Sequence, residues 1–359
     1  MTSARYDQAV FIGRFQPFHN GHLALLRQAL AAAHRVIVVL GSSFQARTPK
    51  NPFTWQERAD MIRASMAEDD AGRLTFLPVR DYYDDDAWNQ AVSAGVRSLQ
   101  QGPSTALMRH FKDSSSYYQR NFPDWIPVDC ERAGMVDATT LRNIFLDRQA
   151  MPGGFVLLAE QVPAPVAQFL AAFRHLPAYD ALVDYQAKLV KDKAAWAGVP
   201  YPPTFVTADA LVRMNKHILL LRRAGSVGAG LLAMPGGYVE THDFLLDAAI
   251  RELKEETAFG LYPSVLLTAL KEVRVFDHPS RSQRGRIVTH VHVFDFGDMA
   301  PIEVHGNGTE GEPAWVPEDR LVALEDQFFS DHFHILDSVL GLTGPVAPSR
   351  PQSRLVYCA

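Results

Sequence analysis

Residues 8–40 read QAVFIGRFQPFHNGHLALLRQALAAAHRVIVVL and contain two β-rich runs on either side of a helical stretch. The first run covers 8–12, the Ala- and Leu-rich helical stretch covers 21–33, and the second run covers 35–40. Apolar runs that are continuous rather than alternating are typical of strands buried on both faces of a parallel sheet. This stretch therefore predicts an α/β domain with a Rossmann-like parallel sheet.

The alternation of strands and helices continues through the first half of the chain. Further strands are predicted at 74–79, 105–111 and 126–130, and further helices at 55–66, at about 86–100 and from about 139 onward. Thr54 lies three residues before Glu57, which is the spacing of a capping box and indicates a helix that begins at residue 55. The first half thus predicts a parallel sheet with helices on both faces.

The second half has a different pattern, which begins after the proline-rich segment PYPPT at 200–204. Consecutive strands are predicted for TFVTADALV and HILLLRR, a helix for about 243–257, long β stretches for 264–277 and 286–296, a short strand for 314–316 and a helix for about 326–340. This order predicts an α+β domain with a mixed or antiparallel sheet. We expect a first domain over 1–177, a helical linker over 178–200, a second domain over 201–345 and a tail over 346–359.

Length and composition limit the classes of protein to which the chain can belong. With 359 residues, of which 47% are hydrophobic and 21% charged, two globular domains can each bury a core. The formal net charge of -5 argues against a broad basic surface for nucleic acid, but not against a local basic cluster that binds a nucleotide. The two cysteines, Cys130 and Cys358, indicate neither a disulfide framework nor a zinc site.

The apolar runs of the sequence are of strand length and none reaches the length of a membrane span. The start of the sequence lacks the apolar core of a secretory signal. We therefore expect a cytoplasmic protein without nucleic-acid or membrane partners. The sequence leaves the oligomeric state open, a homo-oligomer included.

The segment GRFQPFHNGH, residues 13–22, lies between the first predicted strand and the first predicted helix. In an open α/β sheet this junction is where ligands bind. Glycines let the backbone approach a phosphate closely, and a helix start presents unpaired N–H groups. His19 and His22 can point into one pocket there. The segment predicts a phosphate-binding site; two unrelated histidines near a helix start are the alternative.

In these residues the sequence resembles the nucleotidyltransferases with an (H/T)xGH motif. It resembles more closely the nicotinamide mononucleotide (NMN) adenylyltransferases, whose first motif is GRFQPxHxGH. The same family is indicated by GSSFQARTPKNPFTWQER at 41–58, PVRDYYDDDAW at 78–88, HFKDSSSYY at 110–118 and DATTLR at 137–142. In the last motif Thr139 and Arg142 match the family, whereas Asp137 replaces a serine. The resemblance implies transfer of AMP from ATP to NMN, which yields NAD and pyrophosphate.

The resemblance also implies roles for individual residues. His19 and His22 are expected to bind the α-phosphate of ATP and its transition state, and Arg142 the phosphates that leave as pyrophosphate. The attacking 5′-phosphate is already an anion, so the protein needs to position two anions and neutralise charge rather than supply a general base. Mg²⁺ is expected to bridge the triphosphate, with Mn²⁺ as the alternative.

Further residues are candidates for binding ATP or NMN: Gly13, Arg14, Phe15, Lys50, Trp88 and Thr139. Trp88 is expected to stack on nicotinamide or another base, and an ordinary aromatic anchor on a helix is an equal alternative. Lys50 and Arg47 are candidates for steering phosphate, and solvated charges on a polar loop are the alternative.

Residues 237–259 read GYVETHDFLLDAAIRELKEETAF and contain a second candidate site. On the predicted helix, Glu252, Glu255 and Glu256 fall at positions i, i+3 and i+4, so their carboxylates share one face. Clustered carboxylates repel one another unless a cation neutralises them, and oxygen-only ligands suit Mg²⁺ or Mn²⁺. A solvated acidic helix face is the alternative.

This segment resembles the Nudix box, Gx5Ex7REUxEExGU with U an aliphatic residue. The matching positions are Gly237, Arg251, Glu252, Leu253, Glu255 and Glu256. Two positions depart from the box, because Asp243 stands in place of its first glutamate and Ala258 in place of its last glycine. We expect Arg251 to pair with a carboxylate and hold the helix in place. Gly260 is the candidate for a left-handed cap if the helix extends past Ala258.

The Nudix resemblance implies metal-dependent hydrolysis of a nucleoside diphosphate linked to another group, with Glu256 as a catalytic residue and a metal ligand. Residues 276–294 and 306–315 resemble ADP-ribose pyrophosphatases fused to mononucleotide adenylyltransferases. ADP-ribose, hydrolysed to AMP and ribose 5-phosphate, is therefore the expected substrate, and Gly237 is expected to lie beside it.

Four charged residues of these two segments are candidates for the same site. Arg284 and Arg286 are expected to contact the pyrophosphate or the ribose. Glu310 or Glu312 is expected to supply a further acid–base or metal-binding group. A solvent-facing charge is the alternative for each of the four.

Other functions remain open at this stage. A nucleotidyltransferase that acts on phosphopantetheine or flavin mononucleotide is disfavoured by the GRFQP motif and by the segments 41–58 and 78–88. The second domain can also act on another nucleoside diphosphate derivative. A third alternative is a non-catalytic sensor of ADP-ribose or NAD, which the three glutamates disfavour.

Overall fold

The computed structural model describes residues 6–109, 121–131, 137–150, 153–225, 227–309, 311–344 and, for the backbone alone, 354–355. The chain divides into two compact units, Met1–Gln186 and Ala187–Ala359. The first contains a parallel sheet and the second a mixed sheet, which confirms the predicted fold class. In the described parts of the chain, no helix combines the length and the apolar character that crossing a membrane requires.

The first unit is built on five parallel strands in the order β3-β2-β1-β4-β5. They are β1 (Tyr6–Gly13), β2 (Ala33–Leu40), β3 (Leu74–Pro78), β4 (Thr105–Arg109) and β5 (Ile126–Asp129). Nearly all of β1 and the second half of β2 are buried, as expected of strands covered on both faces. Gly13 pairs with Leu40, so the turns that follow β1 and β2 leave the sheet side by side.

Eight helices are described in the first unit: α1 (Asn20–Ala32), α2 (Trp55–Ala64), α3 (Glu68–Ala71), α4 (Asp85–Leu99), α5 (Ala138–Phe145), α6 (Gly153–Gln161), α7 (Ala164–Phe173) and α8 (Pro177–Ala195). The capping box at the start of α2 is present, with Thr54 and Glu57 each bonded to the other's backbone. Helices α6 and α7 are absent from our sequence-based prediction. The boundary between the two units falls within α8, which covers most of the predicted linker.

The second unit contains a mixed sheet in the order β12-β7-β6-β11-β10-β13, with β8 paired to β7 and β9 paired to β6. Its strands are β6 (Thr204–Met214), β7 (His217–Arg223), β8 (Leu232–Ala233), β9 (Gly236–Tyr238), β10 (Leu270–Phe276), β11 (Arg286–Asp295), β12 (Gly311–Pro317) and β13 (Arg354–Leu355). Strands β6 and β11 run parallel over their whole length, whereas β9 runs antiparallel to β6.

The helices of the second unit correct two predictions. They are α9 (Leu245–Thr257), α10 (Pro263–Ala269) and α11 (His332–Leu340), with 3₁₀ segments at Glu318–Arg320 and Val322–Gln327. The predicted strand over 264–277 is wrong in its first part, because Pro263 occupies the first turn of a helix there. The helix predicted to begin near 326 begins at His332, since the preceding residues form a separate 3₁₀ turn.

The end of α9 differs from the sequence-based expectation. Ala258 itself adopts the left-handed conformation, with φ 49° and ψ 35°, and its N–H donates to the Lys254 carbonyl. The helix therefore stops at Thr257 and does not extend to a glycine cap at Gly260. A non-glycine residue in this conformation costs about 1 kcal/mol. Ala258 itself is exposed, and the hydrogen bond to Lys254 and the buried neighbours Thr257 and Phe259 offset this cost.

Candidate functional site

His19 and His22 lie at the start of α1, and each binds the backbone of the other. The His22 N–H donates to Nδ1 of His19 at 3.3 Å, and the His19 N–H donates to Nδ1 of His22 at 3.4 Å. Their rings stack with centroids 3.6 Å apart. A neutral imidazole that accepts at Nδ1 carries its proton on Nε2, where it is a hydrogen-bond donor. The structure thus brings the predicted pair together in a form suited to an anion.

Phe15 and Gly13 act through packing. Phe15 is 2% exposed, and its ring centroid lies 5.0 Å from that of His22. A Cβ atom on residue 13 would come within 2.7 Å of the Phe15 ring, so glycine is needed there. Both residues are candidates for binding ATP or NMN. The structure places the Phe15 side chain in the core, where its apolar ring packs beside that of His22.

Basic side chains gather around the turn that follows β1. Arg142 is 6% exposed and donates to the Gln16 carbonyl at 2.7 Å and to Oγ1 of Thr139 at 3.1 Å. Burial, followed by the nearby charge of Arg14, lowers the pKa of Arg142 to about 10. The same two causes, burial first, lower the pKa of Lys50. Cations that repel one another but are held together by the fold form a favourable site for a polyanion.

Other residues from the first-unit motifs have structural partners. Arg47 forms a two-bond ion pair with Glu57, at 2.6 and 2.7 Å, and therefore anchors its loop. Asp137, which replaces the family's serine, caps α5 by accepting a hydrogen bond from the Thr140 N–H at 3.1 Å. Trp88 is half-buried and its ring packs against Phe122 in an edge-to-face contact. The motif at 110–118 lies outside the described residues.

Sequence reasoning missed Arg58, which is fully buried in the first unit. It lies on α2 on the same stripe as Met61 and Ile62, both of which are also buried. A charged residue at core spacing within an otherwise apolar stripe was the signal that would have identified it.

In the second unit, two of the predicted glutamates contact the β9 segment. Glu256 is buried, and its Oε2 accepts a hydrogen bond from the Gly236 N–H at 2.8 Å. Glu252 lies beside Gly237, where a Cβ atom would come within 2.6 Å of its Oε1. A side chain at position 237 would displace the Glu252 carboxylate, which Arg251 also holds. This arrangement fixes the distance between the start of β9 and α9.

Arg251 lies among the carboxylates of this site. Its guanidinium donates twice to Oδ2 of Asp243, at 3.2 and 2.9 Å, and also to Glu252 at 2.9 Å and Glu255 at 3.2 Å. Burial lowers the pKa of Arg251, but its hydrogen bonds to Asp243 and Glu252 outweigh burial and raise the pKa overall. Arg251 is thus the internal counter-ion of the acidic cluster.

The structure does not gather the predicted metal ligands into one group. Across the described ranges, no set of three or more His, Cys, Asp or Glu side chains is placed to hold a metal ion. The side chain of Glu255 is 56% exposed and bonded to Arg251, whereas Glu256 is buried against Gly236. These side chains nevertheless suit a divalent cation, because their ligand atoms are carboxylate oxygens. Two of the carboxylates, those of Glu252 and Glu256, lie beside β9.

A buried polar network on β6 and β11 was also missed by sequence reasoning. The hydroxyl of Thr289 donates to the Asp209 carboxylate, and Thr207 donates to Thr289 at 2.7 Å. Burial raises the pKa of Asp209 to about 6. Arg281 and Asp331 form a buried two-bond ion pair at 2.8 and 3.0 Å. An aspartate within an apolar strand was the only local signal, since its partners are distant in sequence.

The predicted substrate-binding arginines have different surroundings. The Arg284 guanidinium carbon lies 5.7 Å from the ring centroid of Tyr238 and 5.6 Å from that of Phe329, and Tyr238 directly follows Gly237. Arg284 is thus close to β9, as a substrate contact requires. Arg286 instead donates to the Asp277 carbonyl. Glu310 lies outside the described residues, and Glu312 is exposed on β12.

Two protein families match the chain, one in each unit. The cytidylyltransferase-like family matches residues 10–101, which contain His19 and His22. The NUDIX domain family matches residues 203–339, which contain the acidic cluster on α9.

Relatives of known activity match at greater length. The nicotinamide/nicotinic acid mononucleotide adenylyltransferase of Acinetobacter baylyi is 36% identical over 180 residues, which are 50% of this chain and 92% of that protein. The crystal structure of a bifunctional NMN adenylyltransferase/ADP-ribose pyrophosphatase from Francisella tularensis is 33% identical with a TM-score of 0.85. The match covers 94% of this chain and 99% of that one. A second structure from that organism, complexed with AMP and a Mn ion, is 32% identical with a TM-score of 0.83 and covers 94% and 100%.

Proposed function

The chain belongs to the family of bifunctional NMN adenylyltransferase/ADP-ribose pyrophosphatases, and on this basis we propose that it catalyses both reactions. The first unit joins NMN to the AMP part of ATP, which yields NAD and pyrophosphate. The second unit hydrolyses ADP-ribose to AMP and ribose 5-phosphate. The observation that carries the proposal is the opposite charge of the two sites, with buried cations in the first unit and carboxylates on α9 in the second.

In the first reaction, the protein binds and orients anions. His19 and His22 donate from Nε2 to the α-phosphate, and their reciprocal backbone bonds hold the rings in place for that contact. Lys50, Arg14 and Arg142 attract the β- and γ-phosphates, and the negative charge relieves the repulsion among these cations. Phe15 packs against the His22 ring, and Gly13 leaves room for the Phe15 ring. Thr139 orients Arg142 through its hydroxyl.

In the second reaction, the carboxylates of α9 prepare a site next to β9. Glu252, Glu255 and Glu256 are the residues that would hold a divalent cation, and Glu252 and Glu255 would exchange their hydrogen bonds with Arg251 for it. The cation is Mg²⁺ or Mn²⁺, and when bound it acts as a Lewis acid and lowers the pKa of a water molecule. Asp243 and Arg251 hold the helix in register. Arg284 contacts the phosphates or ribose of the substrate, and Glu310, Glu312 and Arg286 remain secondary candidates.

Product analysis of the purified protein tests the proposal. One sample contains NMN, ATP and Mg²⁺, and a second contains ADP-ribose and Mg²⁺. We expect NAD in the first and AMP with ribose 5-phosphate in the second. Failure to form a dinucleotide from either NMN or nicotinic acid mononucleotide contradicts the first assignment. Failure to form AMP, with Mn²⁺ as well as with Mg²⁺, contradicts the second.

A further inference from the structure

Arg58 is a buried cation whose hydrogen bonds all go to neutral groups. The residue is 0% exposed, and in the described chain no carboxylate lies within 4 Å of its nitrogen atoms. Burial, followed by the charge of Arg14, lowers its pKa to about 10 against the raising effect of Asp81, so it remains charged at neutral pH. Burying an arginine without a direct counter-ion costs free energy, which the hydrogen bonds of its guanidinium must offset.

All five N–H groups of this guanidinium are used. Nε donates to the Thr54 carbonyl at 3.3 Å, and one terminal nitrogen donates to the carbonyls of Arg14 and Gly41, both at 2.7 Å. The other terminal nitrogen donates to the Ser42 carbonyl and to the Ser43 hydroxyl, both at 3.2 Å. Because the donors of arginine have a fixed fork geometry, this pattern sets the relative positions of all the acceptors.

Four of the five acceptors, all except the Thr54 carbonyl, belong to two turns with strained backbone. Phe15 has φ 52° and directly follows Arg14, while Ser42 and Phe44 have φ 51° and 62°. Non-glycine residues in this region cost about 1–3 kcal/mol each and persist where their surroundings determine them. One turn follows β1 and the other follows β2, and the Gly41 N–H donates to the Gly13 carbonyl at 3.0 Å. Arg58 is therefore hydrogen-bonded to both strained turns, at the edge of the sheet where His19 lies.

We propose that Arg58 is a positioning residue for adenylyl transfer, which holds the Arg14–Phe15 turn and the 41–44 loop in the conformation that receives the substrate phosphates. The inference rests on the proposed activity of the first unit. Arg58 does not touch the substrate. It acts by fixing the backbone that carries Arg14 and, through Phe15, the support of His22. Its buried charge also adds to the positive potential at the site.

Replacement of Arg58 by lysine tests this role, because lysine keeps the charge and loses the fork. We expect Arg58→Lys to lower kcat for NAD synthesis about 10- to 100-fold and to raise KM for ATP about fivefold or more, since a displacement of about 1 Å at a reacting site has effects of this size. ADP-ribose hydrolysis by the same molecules stays unchanged. Arg63→Lys, at an exposed position of the same helix, is the matched control and retains both activities.

A second substitution separates positioning from general stability. In the Arg58→Lys background, Ser42→Gly is expected to restore NAD synthesis about threefold or more, because glycine adopts φ near 51° without strain. A general loss of folded protein lowers kcat without changing KM and is not rescued by this glycine. Retention of more than half of kcat in Arg58→Lys, an unchanged KM for ATP or a failed rescue overturns the proposal.

Two further measurements cover the remaining outcomes. If Arg58→Lys does not fold, Ser43→Ala removes one acceptor and leaves the charge, and we expect a loss of kcat/KM of about threefold to tenfold. Unchanged kcat/KM in Ser43→Ala overturns the proposal.

If the wild-type protein makes no dinucleotide, the proposed function fails separately, and amide hydrogen exchange tests Arg58 directly. Faster exchange of the Gly41 and Ser43 amides in Arg58→Lys supports positioning, and unchanged exchange overturns it.

Discussion

The two candidate sites differ in the neighbours of their charged side chains: cations lie near one another in the first, and carboxylates surround an arginine in the second. In the first unit, Arg14 stands near Lys50 and Arg142, and burial together with this repulsion lowers the pKa of both. In the second unit, carboxylates surround Arg251, and their hydrogen bonds raise its pKa. The first site therefore brings together basic groups that a bound polyanion would stabilise in their charged form. In the second site the single charge of Arg251 balances only part of the charge of Asp243, Glu252 and Glu255, and a cation would compete with Arg251 for the two glutamates.

This difference has a physical consequence for ligand binding. Anions that enter the first site relieve a repulsion already present, so binding requires little rearrangement of the protein. A metal ion that enters the second site competes with hydrogen bonds between Arg251 and two glutamates. We therefore expect the first site to be preorganised and the second to change its side-chain contacts on metal binding.

The largest expected effect is the separation of the two activities by single substitutions. His22→Ala should lower NAD synthesis by about 10²–10³-fold and leave ADP-ribose hydrolysis unchanged, because it removes a donor to the charged transition state. Glu256→Gln should lower hydrolysis by a similar factor and spare synthesis, because it removes a carboxylate from the metal site. Initial rates of both reactions measure this. Loss of both activities in either correctly folded variant would contradict independent sites.

Acid should act on the second unit through His292, which is 1% exposed and whose Nδ1 has no hydrogen-bond partner among the described residues. Burial lowers its pKa from 6.5 to about 4. The unfolded chain therefore takes up the proton first, and the free energy of unfolding falls as the pH drops from about 6.5 to about 4, by about 3 kcal/mol. His292→Phe should reduce this slope, as measured by denaturant unfolding at several pH values, and His290 and His332, whose pKa burial also lowers, should retain part of it.

A matched control for His292 is available in the same unit. His305 is exposed, with a side-chain exposure of 67%, and His305→Gln should retain the wild-type pH dependence. An equal slope in His292→Phe and the wild type would show that His292 is not responsible for acid sensitivity.

Removal of Arg251 tests its role as the internal counter-ion of the second site directly. Arg251→Met should lower hydrolysis by about 10- to 100-fold, because residues that orient metal ligands typically contribute this much. Asp243, Glu252 and Glu255 would then repel one another, so Mn²⁺ should raise the melting temperature of this variant more than that of the wild type. If Mn²⁺ stabilises both proteins equally, Arg251 does not compete with the metal.

The smallest effect concerns Asp243, the acidic residue that is one methylene shorter than the family's glutamate. Both of its hydrogen bonds to Arg251 use one oxygen, Oδ2. In Asp243→Glu, the longer side chain can place both carboxylate oxygens against Arg251, so the rate of hydrolysis should change by less than about tenfold. Asp243→Asn should lower the rate further because the charge is lost. Steady-state rates with ADP-ribose measure both variants. A larger loss in Asp243→Glu than in Asp243→Asn would contradict the pairing with Arg251.

Local signals predicted most of the fold and part of each site. The capping box at Thr54 and the continuous apolar run of β2 depend on neighbouring residues, and both are found where expected. The strand predicted over 264–277 failed in its first part because a short apolar run fits a buried helix equally well, and Pro263 was the only distinguishing signal. The left-handed conformation of Ala258 could not be anticipated, since alanine does not favour it and the residue is held by its bond to Lys254 and by its buried neighbours.

Features that depend on distant contacts were not predictable. The bonds from Arg58 to the Arg14 carbonyl, from Arg281 to Asp331 and from Thr289 to Asp209 each join residues far apart in sequence. The motif predicted that Arg251 pairs with a carboxylate, but not that it bonds to Asp243, Glu252 and Glu255 at once. Which side chains pair with one another depends on three-dimensional geometry, and a pattern of residue types does not specify that geometry.

The most direct test of the opposite charge of the two sites is calorimetric titration of the full chain with two simple probes. Inorganic pyrophosphate in metal-free buffer is compared with Mn²⁺ alone, for the wild type, Lys50→Met and Glu256→Gln. Lys50→Met should weaken pyrophosphate binding about tenfold and leave Mn²⁺ binding unchanged, and Glu256→Gln should do the reverse. A variant that weakens both probes equally, or pyrophosphate binding that does not respond to Lys50→Met, would contradict the account.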